Sequence, residues 1–178
     1  MTCDRTTPRA RWATVIAVVS PAGTALAGHP ARAAADGRPL GQARYYLRHG
    51  GHWKADGWTL PPALDIEHTP HDARRPCFGL GRAATVRWIR AFRDEVRRTT
   101  GRRPVIYTTT RRWNRCTGGN RAFGATHPLW LADYSDAVRP PAGWSYPTLR
   151  QYASHGPLPG DQDRWNGTLA QLTKFADG

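Results

Sequence analysis

From about residue 40 onward, apolar and polar positions along the chain fall into blocks whose period identifies the elements. Leu80 to Thr100 places Trp88, Ile89, Phe92 and Val96 three and four residues apart, with arginines filling the other positions. That spacing predicts a helix with one buried face. Gly101 stands where a C-cap belongs, and Pro104 prevents continuation. Leu40 to Leu47 predicts a shorter helix that Gly50 and Gly51 stop. Pro62 to Glu67 and Pro104 to Thr109 are short apolar runs that predict buried strands. Strand, long helix and strand make a βαβ unit, so these two strands are expected to be parallel. Later, Pro128 to Tyr134 and Tyr146 to Ala153 predict strands separated only by a Pro/Gly turn region. The last third therefore reads as a run of adjacent strands. Leu169 to Ala176 reads as a closing helix or docking segment, and no internal repeat is present.

The first strand ends unusually. Leu60-Pro-Pro-Ala-Leu-Asp-Ile-Glu67 is apolar until it reaches two carboxylates one residue apart. Positions i and i+2 of a strand share a face, so Asp65 and Glu67 project together, with Cα atoms roughly 7 Å apart. Two carboxylates that close cannot both ionise freely, and one pKa is pushed up. A carboxyl that keeps its proton near neutral pH is what general-acid catalysis requires. The bland reading is a strand that ends in solvated charge. In parallel sheets ligands sit at the carboxyl ends of the strands, which places Asp65, Glu67 and Tyr107 at one mouth.

Composition narrows the classes. A chain of 178 residues fits one domain with a sizeable core, and eight Trp, six Tyr and four Phe are too many aromatics for disorder. Such rings suit a pyranose face, and they suit a core equally well. The net charge of +13 is almost wholly arginine, Lys54 and Lys174 being the only lysines. A protein this basic is drawn to polyanions: nucleic acid, acidic membranes, or the anionic polymers of a bacterial wall. No arginine cluster alternates with aromatics as in an RNA-binding signature, and zinc-finger and basic-zipper spacings are absent, so specific nucleic-acid binding is not expected.

Cys77 and Cys116 lie in Gly-containing, loop-like segments, which favours a disulfide in an exported protein; no Cys/His metal spacing accompanies them. His68, His71 and His127 read as loop histidines. At the N-terminus, Arg5, Arg9 and Arg11 precede Trp12 to Val19, and Ala25-Leu-Ala27 follows. That order is expected of a signal peptide, the alternative being a misassigned leader, over residues 1–27, and its apolar part is too short to span a membrane. Residues 28–39, crowded with Arg and Pro, are expected to be poorly structured, and the catalytic-type domain to run over 40–178.

Five motifs occur in order: Pro62-Ala-Leu-Asp-Ile-Glu67, Pro104-Val-Ile-Tyr-Thr108, Pro128-Leu-Trp-Leu-Ala-Asp-Tyr134, Leu149-Arg-Gln-Tyr152 and Asp161-Gln-Asp-Arg-Trp-Asn-Gly167. Together they resemble the glycoside hydrolase family 25 lysozymes, the Chalaropsis-type N-acetylmuramidases. The resemblance covers roughly residues 40 to 176, and Cys77 with Cys116 resembles the loop disulfide of a secreted subgroup. It implies an α/β fold, a modified TIM-like β/α barrel in which parallel βα units are followed by strands largely without helices. It implies a secreted, monomeric hydrolase of the β-1,4 bond between N-acetylmuramic acid and N-acetylglucosamine in bacterial peptidoglycan, with no metal or cofactor; anionic wall polymers are expected as further partners from the positive charge alone. By motif match, Glu67 would protonate the leaving oxygen, Asp65 would position and stabilise the reacting sugar, and Asp161 would lie near the pair and tune it. Tyr107, Trp130, Tyr134, Gln151 and Tyr152 would line the groove. Taken by themselves, Trp130 and Tyr107 suit the core as well, and Gln151 and Tyr152 face opposite sides of a strand.

The family pattern is not matched throughout. Its first strand carries another active-site aspartate in a G-[FVI]-D-V-S-like context, and here Asp4 and Asp36 stand in polar, non-strand contexts. The barrel is therefore expected to be N-terminally incomplete, since a full one takes about 200 residues or more. The alternative function is a non-catalytic, wall-glycan-binding remnant. A chitinase-like hydrolase ranks below both, because residues 58 to 64 supply none of the upstream aspartates of D-x-x-D-x-D-x-E.

Overall fold

In a computed structural model, the described residues are 38–67 and 74–178. The expected signal peptide, Cys3, His68 and His71 lie outside them, as does the segment 28–37. The elements in order are α1 (Pro39–Arg48), β1 (Ala63–Ile66), α2 (Arg82–Thr100), β2 (Val105–Thr108), α3 (Thr110–Thr117), β3 (Leu129–Ala132), β4 (Leu149–Ala153), β5 (Gln162–Trp165) and α4 (Leu169–Asp177). One sheet takes the strands in the order β1-β2-β3-β4-β5. The first four run parallel, and β5 returns antiparallel to β4.

Strand alternation divides the sheet into two faces. Leu64, Ile66 and Ile106 point to the helical side, where they join Ile89, Phe92 and Val96 of α2 in one buried cluster. Tyr46 of α1 belongs to the same cluster, and α1 packs along α2. The buried Thr108 hydroxyl donates to the Ile66 carbonyl at 2.9 Å and ties β2 to β1. The other face carries Asp65, Tyr107, Trp130 and Gln151. Parallel βα units followed by strands without intervening helices is the arrangement expected from the sequence.

α2 ends as its pattern requires: Gly101 takes a left-handed φ of 76° and its N–H bonds to the Arg97 carbonyl. α3 departs from the sequence pattern, in which Asn114 to Gly119 reads as a loop. Its helix forms because the Thr109 side chain caps it by accepting from the Arg112 amide, while Trp113, Cys116 and Thr117 bury one face. Cys116 thus sits in the last turn of a helix. It is bonded to Cys77, with Cα atoms 5.5 Å apart. Asp161 follows a run of bends, and Gln162–Trp165 after it forms β5 against β4. α4 is started by a capping box between Thr168 and Gln171. His127 lies in the loop before β3, as expected, yet it is buried there: it is 3% exposed beside Phe123, and burial pushes its pKa down to about 4.

Candidate active site

The sheet register builds the site. Asp65 stands beside Tyr107, and Tyr107 beside Trp130, so three strands contribute one lateral row. Glu67 follows β1 immediately, at the end where four parallel strands finish. Because β5 runs the other way, the residue before it, Asp161, arrives at that same end, next to Ala153 where β4 closes. Short strands with polar residues at their last positions thus bring Asp65, Glu67, Asp161 and Tyr134 to one mouth.

Within the mouth, Gln151 is the hub. It is 4% exposed; its Oε1 accepts from the Tyr107 hydroxyl, and its Nε2 donates to the Tyr134 hydroxyl at 2.8 Å. Trp130 packs its edge on Tyr107, with centroids 5.1 Å apart, and its indole N–H donates to Asp163 Oδ1 at 2.6 Å. Of the two environments open to Trp130 and Tyr107, both take the mouth-side face rather than the helical core. Tyr152 turns to the opposite face, where its ring lies under the Arg164 guanidinium at 5.3 Å. It is the one expected groove residue that this network does not include.

The electrostatics single out Asp65. Its Oδ1 is buried without a hydrogen-bond partner. Burial first, and the charge of Glu67 second, push its pKa up to about 8. The pair does contain a raised carboxyl, but it is the inner member, whereas the motif match gives the proton to Glu67. Glu67 itself is exposed. Asp161 is not among the causes of the raised Asp65 pKa; its charge acts on Tyr134 and Asp163. The Tyr107 hydroxyl is pushed up by burial and then by Glu67 and Asp65, so it stays a neutral donor. Asp163 is raised chiefly by burial, with the Trp130 N–H working against that rise.

Asp163 is a site residue that the sequence pattern did not single out. Its signal was available, since it stands two residues after Asp161 and so repeats the spacing of Asp65 and Glu67. The arrangement supplies a protonated inner carboxyl, an exposed outer carboxyl, neutral phenol donors and aromatic faces. That set suits proton transfer onto an oxygen of a polar, ring-shaped ligand. Among the described residues, no three His, Cys, Asp or Glu side chains gather as a metal site. No helix among them is long and apolar enough to cross a membrane.

Comparisons with known proteins fit this geometry. The profile of "Glycosyl hydrolases family 25" matches residues 26–161. An N,O-diacetylmuramidase of Arthroderma benhamiae is 42% identical over 138 residues, which make up 77% of this chain and 58% of that protein. Lysozyme M1 of Streptomyces globisporus is 37% identical over 142 residues, covering 76% of this chain and 48% of it. The structure of a family GH25 lysozyme from Aspergillus fumigatus superposes with a TM-score of 0.75 at 42% identity, over 79% of this chain and 67% of that one. The chain spans between 48% and 65% of the length of the curated relatives it matches.

Proposed function

Since the chain belongs to glycosyl hydrolase family 25, we propose that it is a peptidoglycan hydrolase that cuts the β-1,4 bond between N-acetylmuramic acid and N-acetylglucosamine. The observation that carries this reading is the carboxylate pair at the mouth, one member buried and raised to about 8, the other exposed beside it. The buried member, Asp65, keeps its proton through neutral pH. Glu67, the outer member, is the group that can reach a glycosidic oxygen, and it delivers that proton to the leaving sugar. That proton comes from Asp65, which, once ionised, stabilises the positive charge that develops at the sugar carbon until a water adds there and returns a proton to the pair. Tyr107 and Tyr134, oriented by Gln151, donate to the sugar's oxygens, and Trp130 offers a ring for stacking. Asp161 and Asp163 keep this wall of the mouth negative.

The same reading places the protein outside the cell, where the disulfide between Cys77 and Cys116 persists and the substrate lies. Digestion of purified peptidoglycan tests it. New reducing ends at muramic acid support the proposal. Reducing ends at glucosamine would assign a different bond. Wall binding by folded protein with no new ends would favour the glycan-binding remnant.

A further inference from the structure

Charge is divided between the two sides of this molecule. The mouth carries the carboxylates Glu67 and Asp161, with the Asp65 and Asp163 carboxyl groups beside them. The helices behind the sheet carry arginine: on α2, Arg87, Arg90 and Arg97 are exposed along the face away from the core. Arg87 to Arg97 spans ten residues, about 15 Å of helix. α3 packs beside α2, and Arg82 Nε donates to the Arg115 carbonyl at 3.4 Å, so the two helices form one surface. Arg111 and Arg115 are exposed on α3, four residues apart. Their charges, after burial, help lower the pKa of Arg112 between them.

The acids on these helices do not neutralise the band. Glu95 is turned inward and held by Arg98 and Arg44, and Asp94 pairs with Arg93. Arg87, Arg90, Arg97, Arg111 and Arg115 make no ion pair among the described residues. Keeping five unpaired cations close together costs free energy through mutual repulsion, and a bound polyanion would relieve that cost.

We propose that the outer faces of α2 and α3 dock a flexible phosphodiester polymer of the bacterial wall and so hold the protein on its insoluble substrate. This rests on the peptidoglycan-hydrolase reading, which sets where the protein works. Two features favour this occupant. The exposed aromatics, Trp58, Tyr134, Tyr146 and Tyr152, belong to other elements, so the face has no platform for stacking bases. It also exposes no large apolar side chain of the kind that enters a bilayer interface. Recognition is by charge alone, which suits a repeating phosphodiester without rings. The acidic mouth repels the same polymer and stays open for glycan.

Binding of the full chain to fluorescein-labelled poly(glycerol phosphate), measured by anisotropy between 20 and 300 mM NaCl, tests the proposal. The triple variant Arg87→Gln/Arg90→Gln/Arg97→Gln should bind at least about tenfold more weakly, with the slope of log affinity against log salt shallower by about two. Its release of reducing ends from polymer-free peptidoglycan should match the parent, while its advantage on polymer-bearing walls disappears. The double variant Arg111→Gln/Arg115→Gln, with circular dichroism matching the parent, guards against a folding artefact and should also bind more weakly. Parental binding by both variants overturns the proposal. So does tighter binding to single-stranded DNA of equal charge or to anionic vesicles, which would assign the face to another partner. Polymer binding without glycan cleavage would sink the enzymatic reading and leave the surface standing. Cleavage without polymer binding would do the reverse.

Discussion

Asp65→Asn isolates the energetic cost of the buried carboxyl. In the folded protein Asp65 titrates at about 8, against an ordinary value of 3.8. The folded state therefore binds this proton more tightly than the unfolded state does between those two values. Stability is highest below about pH 4, falls as pH rises toward 8, and is flat above that for this group. Each tenfold difference in proton affinity corresponds to about 1.4 kcal/mol, and partial exposure of the side chain screens the full amount, leaving a fall on the order of 3–5 kcal/mol. Asparagine keeps the shape and removes the charge. Urea denaturation at unit steps from pH 4 to 9 should show the parent losing stability across that window and Asp65→Asn losing little. The variant should then be the more stable protein at pH 9. Parallel curves for the two proteins would refute the reasoning, because the carboxyl would then be solvated rather than buried.

Other residues give predictions of the same kind. Gln151→Leu removes the shared partner of Tyr107 and Tyr134; kcat on peptidoglycan should fall about 10- to 100-fold, with stability lower by about 1–2 kcal/mol. The double variant Cys77→Ser/Cys116→Ser opens a loop of 39 residues' separation and should lower unfolding free energy by about 4 kcal/mol in the chain-entropy account. A Cβ on Gly124 would meet the Gly143 carbonyl oxygen at 1.9 Å, so Gly124→Ala should cost about 3 kcal/mol, read as a lowered urea midpoint. The carboxylate of Glu95, held by Arg98 and Arg44, titrates at about 2 instead of 4.5. Its contribution is present above about pH 4.5 and lost as pH falls toward 2, so Glu95→Gln should flatten that acid limb of the stability curve.

Much of this was legible in the residues. α2 follows from Trp88, Ile89, Phe92 and Val96, because a long helix repeats its period often enough to be read. β1 and β2 follow from short apolar runs bounded by prolines, and the place of Asp65 and Glu67 on one face follows from the spacing alone. α3 escaped because arginines and Gly118-Gly119 mask a single buried turn of Trp113, Cys116 and Thr117, which needs the disulfide partner and Phe123 to pack against. β5 escaped because Gln-Asp-Arg-Trp has little strand character, and pairing with β4 imposes it. Which of the two carboxyls keeps the proton also lies beyond sequence. Asp65 is covered by neighbouring strands while Glu67 stands at the rim, and spacing cannot say how deep each lies. The hub role of Gln151 depends on register across β2, β3 and β4, which local pattern does not encode.

The central claim is that the Asp65 and Glu67 pair still cleaves glycan, and Glu67→Gln tests it most directly. Parent and variant should bind purified peptidoglycan equally, while release of muramic-acid reducing ends falls in the variant by about 100-fold or more. Equal release by the two proteins, or none by either folded protein, would contradict it.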